Sequence, residues 1–129
     1  MGPEAQLQES VAAYLRFALR PPTIWTAIAH GVWFGWDREK ARTLGRRLYA
    51  AGLNKGWPDM LILHPGPIVL GLELKSQTGR LTPEQRDLME SFSTLGAHFT
   101  VCRSVEEVQD ALESCRIPIR AGVVRPLFA

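Results

Sequence analysis

The apolar positions at the start of the chain repeat with the period of a helix. They predict a helix from about Pro3 to Leu19, which the run Arg20-Pro21-Pro22 ends. A second helix is predicted from about Arg38 to Ala51, with Gly52 as its C-cap. The buried stripes are expected to consist of Leu7, Val11, Leu15 and Leu19 in the first helix, and of Ala41, Leu44, Leu48 and Ala51 in the second.

Two short apolar runs in the middle of the chain predict a β-hairpin. Met60–His64 and Ile68–Lys75 are too short for helices, and glycine and proline lie between them. Further strands are predicted at Thr23–His30 and at His98–Arg103. The intervening stretch His30–Trp36 holds two glycines and two tryptophans and is predicted to be a loop.

Two capping signals predict the remaining helices. Thr82-Pro83-Glu84-Gln85 is typical of a capped helix start, and that helix is expected to end near Gly96. Ser104–Glu107 predicts a second capping box, opening a helix that runs to about Ser114. The order helix, strand, helix, hairpin, helix, strand, helix indicates an α/β fold with a mixed central sheet flanked by helices.

Length and composition are those of a single domain. The 129 residues have 46% hydrophobic content and a net charge of +2. We expect one domain over residues 1–129, with a core from about 4 to 112 and a tail over 116–129 that adds an edge strand or contacts DNA or a second subunit. Cys102 and Cys115 lack metal-like spacing and predict reduced thiols. The absence of a membrane-span or signal-peptide pattern predicts a cytoplasmic protein.

Three charged residues border the predicted hairpin. Pro58-Asp59 precedes its first strand, and Glu73-Leu74-Lys75 ends its second. Glu73 and Lys75 lie two apart and share one face of the strand. If Asp59 lies beside them on the neighbouring strand, two carboxylates converge and favour a bound cation such as Mg²⁺. A lysine beside that cation is suited to orient a water nucleophile.

Each of these residues also has a purely structural interpretation. Asp59 is a common type of turn residue at a strand entry. Glu73 and Lys75 would then lie on the solvent-facing side of a half-buried strand. Val69 and Gly71 share that face nearer the turn, so it is not uniformly polar.

Two further polar residues are candidates for the same site. Gln85 lies in the first turn of a predicted helix, where it serves as a capping residue, a site residue, or both. In the first helix, Glu4 borders the buried stripe and is a better candidate for an additional carboxylate than Glu9, which is expected on the opposite face. An acidic residue at Glu4 is also explained by the helix dipole alone.

Basic side chains are concentrated around the second predicted helix. Residues 38–55 hold six basic side chains and one acidic one, Glu39. The ordinary explanation for such a charge run is a solvated helix face. The large excess of basic over acidic side chains, directly before Asp59 in the chain, instead favours contacts with phosphates. The candidate DNA-binding residues are Arg38, Arg42, Arg46, Arg47 and Lys55.

Taken together, these motifs resemble the VRR-NUC branch of the PD-(D/E)XK nuclease superfamily. The resemblance rests on Gly52–Asp59, on Glu73-Leu74-Lys75, on Gly79–Gln85 and on the opening Glu4–Gln8. It implies a restriction-endonuclease-like core and DNA cleavage dependent on Mg²⁺ or Mn²⁺. One departure is the loop His30–Trp33, where relatives often carry an Asn-Gly-Gly-like sequence.

The resemblance also implies a role for each candidate. Asp59, Glu73 and the main-chain carbonyl of Leu74 would be metal ligands, and Lys75 would position the water. Gln85 would support the site, and Glu4 would complete the acidic set. Small stand-alone members, commonly encoded by phages and bacteria, are associated with homodimers and with branched DNA such as four-way junctions. The alternative is a non-catalytic module that binds DNA structures within a larger complex.

Overall fold

The computed structural model describes residues 2–28 and 38–120, and for Arg38 and Ala41 it describes the backbone alone. These residues form four helices and four strands. In chain order they are α1 (Pro3–Ala18), β1 (Ile24–Ala27), α2 (Arg38–Ala50), β2 (Met60–His64), β3 (Ile68–Leu74), α3 (Pro83–Thr94), β4 (His98–Cys102) and α4 (Val105–Ser114).

The four strands form one mixed sheet in the order β1-β2-β3-β4. β2 pairs antiparallel with both β1 and β3, whereas β3 and β4 are parallel. The parallel pair requires a crossover, and α3 supplies it. The predicted α/β architecture with a mixed central sheet is therefore confirmed, including the hairpin.

Helices cover both faces of this sheet. On one face, the even-numbered leucines of β3 join apolar residues of α1 and α4 in a single core, which includes Val11, Leu15, Leu70, Leu72, Val108 and Leu112. On the other face, the ring of Phe92 from α3 packs edge-on against Trp57 and Phe99. Gly71 lies under this layer: a Cβ there would come within 2.6 Å of Pro58 Cγ and 3.1 Å of Phe92 Cε2.

The second helix is more exposed than its pattern predicts. Leu44 and Leu48 are half-buried and Ala51 is exposed, so the expectation of a buried stripe is wrong for Ala51 and only partly met by the leucines. The side chain of Ala41 lies outside the described residues. The predicted C-cap is present, because Gly52 has a φ of +108° and the next amide, of Leu53, donates to the carbonyl of Leu48 at 2.8 Å.

The two predicted capping boxes have different outcomes. At α3, Thr82 Oγ1 accepts from the amide of Gln85 at 3.1 Å, and Gln85 Oε1 accepts from the amide of Thr82 at 2.9 Å. At α4, Ser104 Oγ accepts from the amide of Glu107, but Glu107 Oε1 accepts from the amide of Arg103 instead of Ser104. The prediction of Ser104 as the N-cap of α4 is thus confirmed, whereas the predicted hydrogen bond from the amide of Ser104 to Glu107 is wrong.

Some predicted features lie outside the described residues. They include the end of the strand predicted to reach His30, the loop His30–Trp36 and the tail beyond Arg120. Both cysteines are free and buried, as expected. Among the described residues, no helix has the length and apolar character needed to cross a membrane.

Candidate active site

Asp59 is held between two neighbouring strands. Its main-chain oxygen accepts a hydrogen bond of 2.8 Å from the amide of Ile28, which continues the pairing of β1 with β2. Its side-chain Oδ2 accepts a hydrogen bond of 2.7 Å from the amide of Leu74 at the end of β3. The residue is therefore fixed within the sheet through both its backbone and its carboxylate.

The strand register brings Asp59 and Glu73 together. Met60 pairs with Leu72, and the same antiparallel register continued by one residue sets Asp59 opposite Glu73. Directly opposed residues of antiparallel strands have their side chains on the same face. The convergence of two carboxylates that the sequence left conditional is present in the structure.

Glu73 and Lys75 are buried, so the interpretation of their face as solvent-facing is wrong. Glu73 is 4% exposed and Lys75 is 8% exposed. Lys75 Nζ lies 3.4 Å from Glu73 Oε2. Buried charges are retained where they are paired or where a ligand compensates them. The charges of Glu73 and Lys75 are thus compensated by each other or by a ligand, not by solvent.

The surroundings raise the pKa of Glu73 from 4.5 to about 7. Burial is the main cause, and the negative charge of Asp59 adds to it, while Lys75 opposes both. A carboxyl group that is costly to ionise in the protein alone becomes favourable to ionise beside a cation. When both carboxyl groups are ionised, the site therefore carries more negative charge than the single lysine offsets.

These residues fit a divalent cation. Glu73 Oε1 is buried and accepts no hydrogen bond from any residue the structure describes. The carbonyl of Leu74 faces the same strand edge as its amide, which donates to Asp59. Within residues 2–28 and 38–120 no group of three histidine, cysteine or acidic side chains is placed to hold a metal. Mg²⁺ accepts such a sparse set, because it keeps waters and binds substrate phosphates.

Glu4 lies next to this pair without joining it. Its Oε1 accepts from the amide of Ser76 at 3.3 Å, and a Cβ on Gly79 would lie 3.0 Å from the same oxygen. Glu9 instead lines an open groove of about 500 Å³ between α1 and β1. Of the two carboxylates of α1, Glu4 is thus the one beside the residues that follow Lys75.

Gln85 occupies the first turn of α3, where its Oε1 is engaged in the capping box. The turn before Asp59 contacts this helix start: Gly56 has a φ of +94°, and a Cβ there would come within 2.6 Å of the carbonyl oxygen of Glu84. Glycine is required at this turn for both reasons. The contact brings Lys55, which is exposed, to the same end of α3.

The remaining basic candidates project from α2. Arg42, Arg46 and Arg47 are exposed, as a phosphate-binding surface requires. The side chain of Arg38 lies outside the described residues. None of the described basic side chains of α2 belongs to the buried core, so these side chains are accessible to a ligand.

Arg103 was not singled out by the sequence. Its Nη1 donates to the carbonyls of Ser76 and Gly79, which belong to the loop after Lys75. The pairing of β4 with β3 positions it there, and no local motif signals that pairing in the sequence. Only the structure reveals that this arginine faces the site.

Comparison with known proteins gives one consistent result. The sequence model of the VRR-NUC domain family matches residues 36–106. A solved VRR-NUC domain superposes with a TM-score of 0.56 at 17% identity, covering 88% of this chain and 97% of that one. A solved VRR-NUC domain protein gives 0.53 at 15% identity, with coverages of 85% and 88%. Curated proteins gave no significant match.

Proposed function

Because the chain belongs to the VRR-NUC domain family, whose domains are of the nuclease type, we propose that it is a metal-dependent DNA endonuclease. The observation that carries the proposal is the half-buried Asp59 opposite the buried Glu73, with Lys75 Nζ 3.4 Å from Glu73 Oε2. Membership supports phosphodiester hydrolysis, and the charge arrangement supports a divalent cation as cofactor.

Asp59, Glu73 and the carbonyl of Leu74 are the groups that would hold Mg²⁺ or Mn²⁺. Such an ion, when bound, stabilises negative charge on the phosphate and lowers the pKa of a bound water. The amide of Leu74 fixes Asp59 in its orientation through the 2.7 Å hydrogen bond. The protein's contribution is thus a pre-arranged pair of carboxylates that needs no rearrangement during the reaction.

Lys75 is proposed to orient the attacking water. Its ammonium is held next to Glu73 and is almost excluded from solvent, so its few hydrogen-bond donors have a restricted set of directions. The water oxygen bonds to phosphorus, the bond from phosphorus to O3′ breaks, and O3′ gains a proton. The products are a 3′-hydroxyl and a 5′-phosphate.

Glu4 and Gln85 are proposed as supporting residues. Glu4 holds the amide that follows Lys75, which favours an indirect contribution through that loop. Gln85 Oε1 is engaged with Thr82, and its amide nitrogen remains a donor suited to a water or a phosphate oxygen. Both residues would thereby shape the site around the carboxylate pair.

DNA is proposed to bind along α2 and the turn that follows it. Arg42, Arg46, Arg47 and Lys55 are exposed cations on this surface, and Arg38 belongs to the same stripe in sequence. Contacts of this kind neutralise phosphates without reading bases. Selectivity would therefore depend on the shape of the DNA, in keeping with branched substrates such as four-way junctions.

The described part of each chain offers one such pair, Asp59 and Glu73, so cutting two strands would require two copies. We propose a symmetric homodimer as the form that cuts branched DNA. Sedimentation equilibrium across a hundredfold range of protein concentration, with and without a four-way junction, tests this proposal. A species that stays monomeric with the junction bound contradicts it.

The test of the nuclease proposal is a panel of labelled DNAs: single strand, duplex, flap and four-way junction. Each is incubated with Mg²⁺, Mn²⁺ or EDTA, using wild type, Lys75→Met and Glu90→Gln. Lys75→Met keeps the aliphatic chain and removes the charge, whereas Glu90 is an exposed carboxylate on α3. We expect cleavage in both metals by wild type and Glu90→Gln, and binding without cleavage by Lys75→Met.

Two results would contradict the proposal. Binding without cleavage by wild type in either metal would favour the non-catalytic DNA-structure module. Undiminished cleavage by Lys75→Met would refute the assigned role of the lysine.

A further inference from the structure

Residues 76–79, here called the lysine loop, follow β3 and close over the side chain of Lys75. A Cβ on Gly79 would lie 3.3 Å from Lys75 Cδ and 3.2 Å from Ser76 Oγ. The backbone of Gly79 is therefore in contact range of the aliphatic part of the lysine. This cover helps to explain why so long a charged side chain is only 8% exposed.

The lysine loop is held by polar contacts at both ends. The amide of Gly79 donates to Ser76 Oγ at 3.1 Å, which closes the loop on itself. Glu4 Oε1 accepts from the amide of Ser76 at 3.3 Å. Arg103 Nη1 donates to the carbonyls of both Ser76 and Gly79, the latter at 2.8 Å. Arg103 is thus the side chain that ties the two ends of the loop to the rest of the fold.

Arg103 is itself rigidly placed. Leu74 pairs with Cys102, and the amide of Lys75 donates to the carbonyl of Cys102 at 3.0 Å, so Arg103 follows directly beside Lys75. The amide of Arg103 donates to Glu107 Oε1 at 3.0 Å, in the first turn of α4. A continuous set of contacts therefore runs from α4 through Arg103 to the loop that covers Lys75.

We propose that Arg103 is a positioning residue for Lys75, acting through the lysine loop. With its guanidinium directed at two carbonyl oxygens, Arg103 fixes the loop, and the loop holds the lysine ammonium beside Glu73. The effect of Arg103 on catalysis rests on the proposed nuclease function. The restraint that Arg103 places on Lys75 does not depend on that function, and it can be measured without any substrate.

Lysine labelling measures that restraint directly. The chain contains three lysines, and Lys40 and Lys55 are exposed. Folded protein is exposed to a small amine-acylating reagent, and modification at each lysine is followed by mass spectrometry. In Arg103→Gln we expect labelling of Lys75 relative to Lys55 to rise by about tenfold, the factor that corresponds to a hydrogen bond from a charged donor at the lower end of its range. The matched control Arg86→Gln, an exposed arginine on α3, is expected to leave the ratio unchanged.

Gly79→Ala provides a second variant that leaves Arg103 in place. Its methyl group would meet Lys75, Ser76 and Glu4, and we expect it too to raise the relative labelling of Lys75. An unchanged ratio in both variants overturns the proposal. A parallel rise at all three lysines, with a lowered unfolding temperature, also overturns it, because Arg103 would then act only on overall stability.

Steady-state cleavage then tests the catalytic consequence. Misplacement of a reacting group lowers kcat, so we expect Arg103→Gln to lose roughly ten- to a hundredfold in kcat with KM unchanged. A raised KM at constant kcat would instead identify Arg103 as a DNA contact and overturn the proposal. If wild type cleaves no DNA while the labelling ratio still rises, the nuclease function fails and the positioning of Lys75 stands.

Discussion

The amide of Leu74 donates a 2.7 Å hydrogen bond to Oδ2 of Asp59, joining the end of β3 to the residue that precedes β2. This bond fixes the orientation of one carboxylate, whose residue lies directly across from Glu73 in the continued register. Two acidic groups that repel each other are thereby held together by backbone geometry. Without a bound cation, this proximity adds to the cost of ionising the buried Glu73.

The stability of the metal-free protein is expected to fall as pH rises from about 4.5 to about 7. The pKa of Glu73 is raised from 4.5 to about 7, so in this range the folded state binds more protons than the unfolded state. The loss amounts to at most about 3 kcal/mol. Urea unfolding in EDTA at several pH values measures it, with Glu73→Gln as the reference that lacks this contribution. Equal pH dependence in the two proteins would refute the assignment.

Metal binding is expected to show the opposite pH dependence. Because a ligating carboxyl must lose its proton, Mn²⁺ affinity should weaken by about tenfold per pH unit below 7. Titration calorimetry at pH 6 and pH 8 measures this, and Mn²⁺ should raise the unfolding temperature of wild type. Asp59→Asn, which keeps its size and loses its charge, is expected to lose most of that increase.

Substitution of Gly71 is expected to damage the fold next to the site. An alanine Cβ there would come within 2.6 Å of Pro58 and 3.1 Å of Phe92, so Gly71→Ala should destabilise by about 1–3 kcal/mol. Gly45→Ala is the matched control, since an added Cβ would meet no atom within 4 Å beyond its chain neighbours and its own helix backbone, and alanine in a helix stabilises by about 0.5–1 kcal/mol. Opposite signs in chemical denaturation are the expected result, and equal effects would contradict the packing described.

The capping role of Gln85 is separable from its proposed role in catalysis. Gln85→Glu keeps a capping box, because glutamate also accepts the bond from the amide of Thr82. It removes the amide donor and adds a negative charge in the first turn of α3. We expect an unfolding temperature close to that of wild type and a clear loss of kcat. Full activity in this variant would limit Gln85 to its structural role.

The exposed arginines of α2 are expected to contribute to DNA affinity without reading base sequence. Arg42→Ala should weaken binding to all DNAs alike and reduce the slope of log K against log salt by about 0.9. Arg42→Lys, which keeps the charge, is expected to retain the slope. Fluorescence anisotropy over a range of salt concentrations distinguishes them, and a loss specific to one sequence would count against a phosphate contact.

Much of the fold was predictable from local signals. Among the described residues, period and turn residues predicted each strand and helix, and the cap of Thr82 was correct because its partners lie three residues apart. The proximity of Asp59 to Glu73 was predictable only on the condition that the hairpin register sets them opposite each other. Register follows from the whole sheet, not from the residues at its edge.

Other features depend on contacts between distant parts of the chain. Glu73 is only 4% exposed, and a pattern of alternating residues does not specify that burial. The exposure of Ala51 reflects a helix whose apolar stripe is only half covered. Arg103 acts on carbonyls 24 and 27 residues earlier in the chain, so its position required the parallel pairing of β3 and β4.

The most direct test of the carboxylate pair is cleavage of a labelled four-way junction and a duplex in Mg²⁺ and Mn²⁺. Asp59→Asn and Glu73→Gln are compared with wild type, with Glu90→Gln as the control for an exposed carboxylate. We expect metal-dependent cleavage by wild type and the control, and a loss of at least about a hundredfold in both site variants. Cleavage that persists in EDTA, or in either site variant, would contradict it.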